Sequence, residues 1–230
     1  MDSGAAVVDS EAVAPREDGE LRPSKLIDAA GSERITRAVH AAEANTSGEI
    51  VVSVVGRSDE HAAAPWRLSF LLAALSYFAA SFAPIDLTGP ALFGVQLLAV
   101  LVGHALGRVP GIRRLFIPES ERTRTAERAA VHEFHEQGMQ QTEGRTGILI
   151  YVTLLEHRVV VLADEAIDRV LDPDESWEDV VELVLEGIRS GDITSGIESA
   201  IARCGEILSH PLPIQPDDRD EIPHALVLRD

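Results

Sequence analysis

The sequence predicts an α/β domain, a small mixed β-sheet sandwiched by helices, interrupted by a two-span transmembrane helical hairpin. Three observations carry this. Runs rich in β-branched residues at 50–55, 148–154 and 159–162 have the length of strands. Segments with apolar residues at helical spacing flank them on both sides. Between the first run and the other two, residues 69–107 hold one charged side chain, Asp86, although the whole chain has a formal charge of −18.

Composition sets outer limits. The 230 residues suffice for one or two domains with a proper core. Lys25 is the only lysine among 20 basic residues. So strong a negative charge argues against nucleic acid as a partner, because phosphates are repelled. Cys204 is the single cysteine, which excludes a disulfide framework and a cysteine-based zinc knuckle. Residues 1–31 lack the basic and apolar regions of a secretory signal and read as a disordered acidic lead-in.

The elements follow in order. Residues 32–60 open the domain, with Ser32 as a helix cap before Glu33 and Ile35, Ala38, Val39 and Ala42 along one face. Asn45–Thr46–Ser47–Gly48 ends that helix and leads into the first strand, buried on both faces. Residues 66–107 form the hairpin, with spans at about 68–85 and 87–107, each near the ~20 residues a bilayer requires. Pro84, Gly89 and Pro90 make the turn between them. Arg57 and Arg67 precede the spans, and Arg108, Arg113, Arg114, Arg122 and Arg124 follow, while the turn has no basic residue. The positive-inside rule then puts both flanks, and both termini, in the cytoplasm at the cell (inner) membrane. The alternative is a buried helical pair inside a soluble core, against which stands the lack of any polar face.

Residues 118–213 complete the domain. A helix at 120–138 turns Ala126, Ala130, Phe134 and Met139 to one side. Two strands joined by a hairpin turn at 155–158 come next. A helix capped by Asp174 or Ser176 buries Trp177, Val180, Val181, Val184 and Ile188. A last helix stops at Pro211 and Pro213, and residues 214–230 read as a mobile tail. Two spans, unlike one, return the chain to the side it left, so the first strand can still pair with the others.

Gly103 and Gly107 form a GxxxG, and Ser76/Ala80 and Ala79/Ala83 are small pairs four apart, spacings that let helices approach within the hairpin or between copies. His104, just before Arg108, reads as an interfacial residue rather than a proton relay. A polar path through the membrane, which a channel or transporter subunit needs, is not offered by two such spans.

Catalytic signatures are missing: there is no Walker A loop, GxGxxG, HExxH, GxSxG or Cys-x5-Arg loop. The acids Asp164, Glu165 and Asp168 follow the third strand, with Asp172 and Asp174 beyond. They read either as ligands for calcium or another divalent cation, or as a solvated acidic connection favouring the next helix N-terminus. His132 and His135, beside Glu136, are a candidate metal pair or simply solvated. The Glu156–His157–Arg158 turn reads as structural. Arg145 is expected to contact Glu49 or a backbone carbonyl, and Cys204 to be a small buried residue.

Three stretches, "TSGEIVV" with "RSDE" after it, "RTGILIYVTLLEHRVVVLAD", and "VVELVLEGIRSGDITSGIESAI" behind Trp177, resemble the TPM-domain family, and its bacterial branch of membrane proteins with two spans inserted in the domain. The resemblance runs over about residues 32–211 and singles out Gly48, Glu49, Arg145, Thr146 and Gly147 as a structural motif. It implies an αβ sandwich. Relatives include a plant thylakoid-lumen protein connected with photosystem II repair and an animal receptor-associated membrane protein. Weak phosphatase activity and metal binding by acidic residues are attributed to the plant branch. Where related domains often have a Gly-rich turn after the third strand, this chain has Ala163–Asp164–Glu165–Ala166. The expected function is therefore a membrane-anchored interaction, assembly or maintenance module for membrane proteins, without catalysis. Its expected partners are the lipid bilayer, membrane proteins and further copies of itself, and the alternative is a weak divalent-metal-dependent phosphatase.

Overall fold

The computed structural model describes residues 6–9 (backbone alone), 22–82, 87–142, 144–171, 176–215, 221–222 and 225–230. It divides into a domain, Met1–Arg16 with Leu21–Asp59 and Arg122–Asp230, and a hairpin unit that includes Glu60–Glu121.

The domain is built on five strands: β1 (Ala6–Asp9), β2 (Glu49–Val55), β3 (Gly147–Thr153), β4 (Arg158–Ala163) and β5 (Leu226–Arg229), in the order β1-β4-β3-β2-β5. β2 is parallel to β3 and to β5, while β4 is antiparallel to β3 and to β1. Every residue of β2, β3 and β4 is buried, which explains why the sequence there is a continuous apolar run rather than an alternation. Helices cover both faces. Over the whole chain the described helices are, in order, α1 (Pro23–Leu26), α2 (Ala29–Glu43), then α3 (Ala63–Phe82), α4 (Gly89–Leu106) and α5 (Pro110–Leu115) in the hairpin unit. They continue with α6 (Glu119–Glu136), α7 (Glu165–Val170), α8 (Glu178–Ser190) and α9 (Ile193–Ser209).

On one face, Ile50, Val52 and Val54 of β2 with Ile148, Ile150 and Val152 of β3 meet α2, α8 and α9. Each such fully buried aliphatic side chain contributes about 1.5–3 kcal/mol relative to exposure. α8 crosses α9 at two glycines: a Cβ on Gly187 would lie 2.5 Å from the Gly196 Cα, so neither position tolerates a side chain. On the other face, Val51, Val55, Leu149, Tyr151, Val160 and Leu162 pack under Ala126, Ala130 and Phe134 of α6. The result is three layers, helix on sheet on helix.

Four expectations change. Residues 1–31 include an edge strand and the short α1, and residues 214–230 include the other edge strand. Both strands are four residues long and owe their form to neighbours: β1 to β4, and β5 to β2 through Val52 N–H to the Ala225 carbonyl at 3.0 Å and Gly56 N–H to the Arg229 carbonyl at 2.9 Å. Asp230 accepts hydrogen bonds from the Ser24 amide (3.2 Å) and hydroxyl, which hold its carboxyl below the usual range. The cap of α2 is Asp28, whose Oδ1 accepts from Gly31 N–H at 2.7 Å, so Ser32 lies inside the helix. Ser176 does accept from Glu178 N–H at 3.0 Å; Asp172 and Asp174 lie outside the described residues. A short helix, α7, also stands where a loop was expected after β4.

The hairpin unit is built on two long helices. α3 and α4 have 20 and 18 residues, long and apolar enough to cross a membrane, with mean hydropathies of 1.2 and 1.7. Only 6 % of the α4 window is buried, whereas a core helix of a soluble protein hides its apolar side. Phe70, Leu75 and Phe78 of α3 and Phe93, Leu98 and Leu101 of α4 are all exposed. The two helices touch through their small residues: a Cβ on Gly103 would lie 2.6 Å from the Ser69 Cα, and one on Gly107 2.6 Å from the Pro65 Cα. The small-residue spacing at 103 and 107 is thus used within the hairpin. Of the other small pairs, Ala83 lies outside the described residues. Midway along, the Gln96 amide donates to the Ala73 carbonyl at 2.8 Å and accepts from the Ser76 hydroxyl at 3.2 Å, a polar tie between the two helices. Trp66, in the first turn of α3, packs against His104 with ring centroids 4.7 Å apart and the planes tilted by 50°.

Candidate functional site

The domain has polar side chains at both ends of its parallel strand pair. At the N-terminal end lies the acidic group singled out in the sequence. Asp164 is buried and caps α7 by accepting from Glu165 N–H at 2.7 Å. Arg145 reaches it, Nε to Oδ2 at 3.6 Å, and also reaches Glu165, Nη1 to Oε2 at 3.5 Å. Arg145 therefore pairs with these two acids instead of with Glu49. Glu165 is exposed and also pairs with Arg169. The Asp168 side chain lies outside the described atoms.

A calcium ion takes six to eight oxygens. The described part of this cluster supplies two carboxylates, both already facing a guanidinium. Among the described residues no three His, Cys, Asp or Glu side chains group closely enough to hold a metal ion. His132 lies 3.3 Å from Glu136, and the His135 ring turns back to the Val131 carbonyl at 2.8 Å, so the two imidazoles do not converge.

Beside Asp164, the structural motif joins the starts of β2 and β3. Glu49 N–H donates to the Thr146 carbonyl at 3.1 Å, and the Thr146 hydroxyl donates to the Ser47 carbonyl at 2.8 Å. A Cβ on Gly48 would press into Leu208 at 2.7 Å, and one on Gly147 would lie 3.0 Å from the Met139 carbonyl. Arg145 itself has φ +54°, the left-handed region, which turns the chain sharply into β3.

The C-terminal ends of β2 and β3, where α/β sheets most often bind ligands, hold a second polar group at what reads in the sequence as a plain turn. Glu156, in the β3–β4 connection, is fully buried. Its Oε1 accepts from the Ser58 amide at 3.0 Å and the Ser58 hydroxyl at 2.8 Å, and its Oε2 from the Thr153 hydroxyl. Leu154 and Leu155 N–H groups donate to the Val55 and Gly56 carbonyls, both at 3.0 Å. The turn closes through His157 at φ +52°. Arg158, next in sequence and 1 % exposed, donates from Nε to the Thr123 hydroxyl at 3.2 Å; burial pushes its pKa down. Tyr151, on the same face, has its phenol pushed well up by burial and then by Glu133 and Glu156. The sequence signal that could have found this centre is the Thr-x-x-Glu spacing across a two-strand junction.

Chemically, the Glu156 centre is a tie. Its carboxylate is saturated with donors, and it fastens the loop after β2 to the β3–β4 turn. Cys204 is buried with its thiol pushed up to about 12, the opposite of an activated nucleophile.

Fold and site together define a three-layer α/β/α domain whose β2–β3 crossover carries an apolar helical hairpin. Residues 111–207 match the TPM domain family. The matched stretch begins after the two apolar helices. The NMR structure of BA42 protein from the psychrophilic bacterium Bizionia argentinensis is similar in fold, with a TM-score of 0.54 at 20 % identity, over 89 % of this chain and 95 % of that one. No curated protein matches the chain.

Proposed function

We propose that this protein is a membrane-anchored module whose TPM domain lies on the cytoplasmic side of the cell membrane, with both termini there, and serves the assembly or maintenance of membrane proteins by binding them. One observation carries the reading. β2 and β3, which precede and follow the apolar hairpin, are adjacent parallel strands paired from Glu49↔Gly147 to Val55↔Thr153. A sheet cannot straddle a bilayer, because its paired backbone groups need each other. A hairpin in the membrane must therefore bring the chain back to the side it left, and the arginines flanking it favour the cytoplasm. The saturated Glu156 centre and the protonated Cys204 suit binding better than catalysis.

Crosslinking and pull-down of the full chain from native membranes tests this. The expected result is a reproducible integral-membrane partner, with the domain digested by protease only in inside-out vesicles. Recovery of the chain in the soluble fraction, or protection of the domain in inside-out vesicles, would overturn it.

A second reading, a weak divalent-metal-dependent phosphatase at Asp164, Glu165 and Asp168, is favoured by one feature: the buried Asp164 Oδ2 has no hydrogen-bond partner among the described residues. It requires calcium or another divalent cation to raise the melting temperature of the full chain, and Asp164→Ala to abolish both that shift and metal-dependent turnover.

A further inference from the structure

The hairpin unit carries its positive charge at one end. Arg67 lies in the second turn of α3, and the contacts of Gly103 and Gly107 with Ser69 and Pro65 bring the end of α4 back to that level. Arg108 follows α4 by two residues, and α5 adds Arg113 and Arg114. From His61 to Pro118 the sequence holds these four arginines and one acid, Asp86, with Glu119 and Glu121 just beyond, in a chain of net charge −18. Arg67 is itself anchored, donating to the Phe116 carbonyl at 2.9 Å and to Glu121 at 2.8 Å. Arg108 is exposed, and Arg113 and Arg114 are half-buried.

Apolar surface accompanies the charge. Leu115 at the end of α5 is 81 % exposed, Val109 just before α5 is exposed too, and Trp66 is half-exposed beside Arg67. At the opposite end of the hairpin, Phe82, Leu87 and Thr88 bring no cation. Guanidinium groups beside exposed aliphatic and indole side chains, at one end of an apolar helix pair, match the boundary between headgroups and acyl chains. Charge complementarity selects the headgroup: an acidic protein is repelled by an anionic leaflet except where its arginines cluster.

We propose that Arg108, Arg113 and Arg114, at the foot of the hairpin that the anchored Arg67 braces, bind the headgroups of anionic phospholipids. The proposal rests on the membrane reading above. It adds that the hairpin recruits a shell of acidic lipid, which bidentate guanidinium–phosphate contacts retain.

Trp66 reports on it directly. The full chain is reconstituted into phosphatidylcholine vesicles containing a minor fraction of phosphatidylglycerol, with bromine on the acyl chains of one lipid or of the other. Trp66→Phe supplies the background from Trp177. Quenching of Trp66 per brominated lipid is expected to be about fivefold stronger when phosphatidylglycerol carries the bromine. The preference should shrink in Arg108→Gln, a change at an exposed side chain, and vanish in the variant that adds Arg113→Gln and Arg114→Gln. Equal quenching by both lipids, or a preference that survives the triple change, overturns the lipid site and leaves the membrane reading standing. Absence of quenching by either lipid overturns both.

Discussion

Glu156 Oε1 takes two hydrogen bonds from a single residue, one from the Ser58 amide at 3.0 Å and one from the Ser58 hydroxyl at 2.8 Å. Ser58 stands just ahead of the hairpin unit in the chain, and Glu156 in the turn between β3 and β4. Their contact pins the end of β2 to that turn, fixing where the chain leaves the sheet.

Removing the carboxylate leaves the Ser58 and Thr153 donors without their acceptor inside the protein. Glu156→Ala is expected to destabilise the domain by about 3 kcal/mol, and Glu156→Gln by less, since an amide oxygen still accepts. Denaturant unfolding followed by Trp177 emission measures both. A loss under about 0.5 kcal/mol in the alanine variant would contradict the tie.

Ser53 on β2 gives the reverse case. It is fully buried, and its hydroxyl has no hydrogen-bond partner among the described residues. Ser53→Ala is expected to be neutral or stabilising by about 1 kcal/mol, because a desolvated hydroxyl is removed and nothing is left unpaired. The same unfolding experiment reads it.

Close approach of α3 and α4 depends on Gly103. Gly103→Leu would drive a side chain into the Ser69 backbone and cost the pairing about 1–3 kcal/mol. Gly94, where a Cβ would meet nothing within 4 Å, is the control, and Gly94→Leu should leave pairing intact. Oxidative crosslinking between Ser76→Cys and Gln96→Cys in a Cys204→Ser background reports the separation. It should fall steeply for the first variant alone.

Acid should loosen the foot of the hairpin. Burial works to raise the Glu121 carboxyl, but hydrogen bonds from Arg67 and His61, with their charges, outweigh it and hold it below its ordinary value of 4.5. A carboxyl depressed by folding contributes stability that is present above its unfolded value and is lost as pH falls through its folded one. The thermal midpoint of the full chain should therefore drop below about pH 4.5, with a shallower drop in Glu121→Gln.

Cys204 is fully buried, with its thiol pushed up to about 12. Iodoacetamide at pH 8 should leave it unmodified in the folded protein and label it fully in denaturant. Mass spectrometry distinguishes the two, and labelling of the folded chain would refute the packing of α9.

The sequence by itself determined the elements that its local pattern encodes. β2, β3 and β4 are legible because a strand buried on both faces must be apolar throughout, and α8 and α9 because one apolar stripe repeats at helical spacing. The two long helices are legible because α3 and α4 lack a polar face. Tertiary structure decided what depends on residues far apart in the chain. The edge strands are four-residue segments that become strands by pairing with β4 and β2, and no local period announces them. Arg145 finds Asp164 and Glu165 because β3 and β4 are antiparallel neighbours, which sets the start of one strand beside the end of the other. Glu156 reads as a turn residue in sequence. It becomes a buried centre because the parallel pairing of β2 with β3 delivers Ser58, 98 positions away, to its carboxylate.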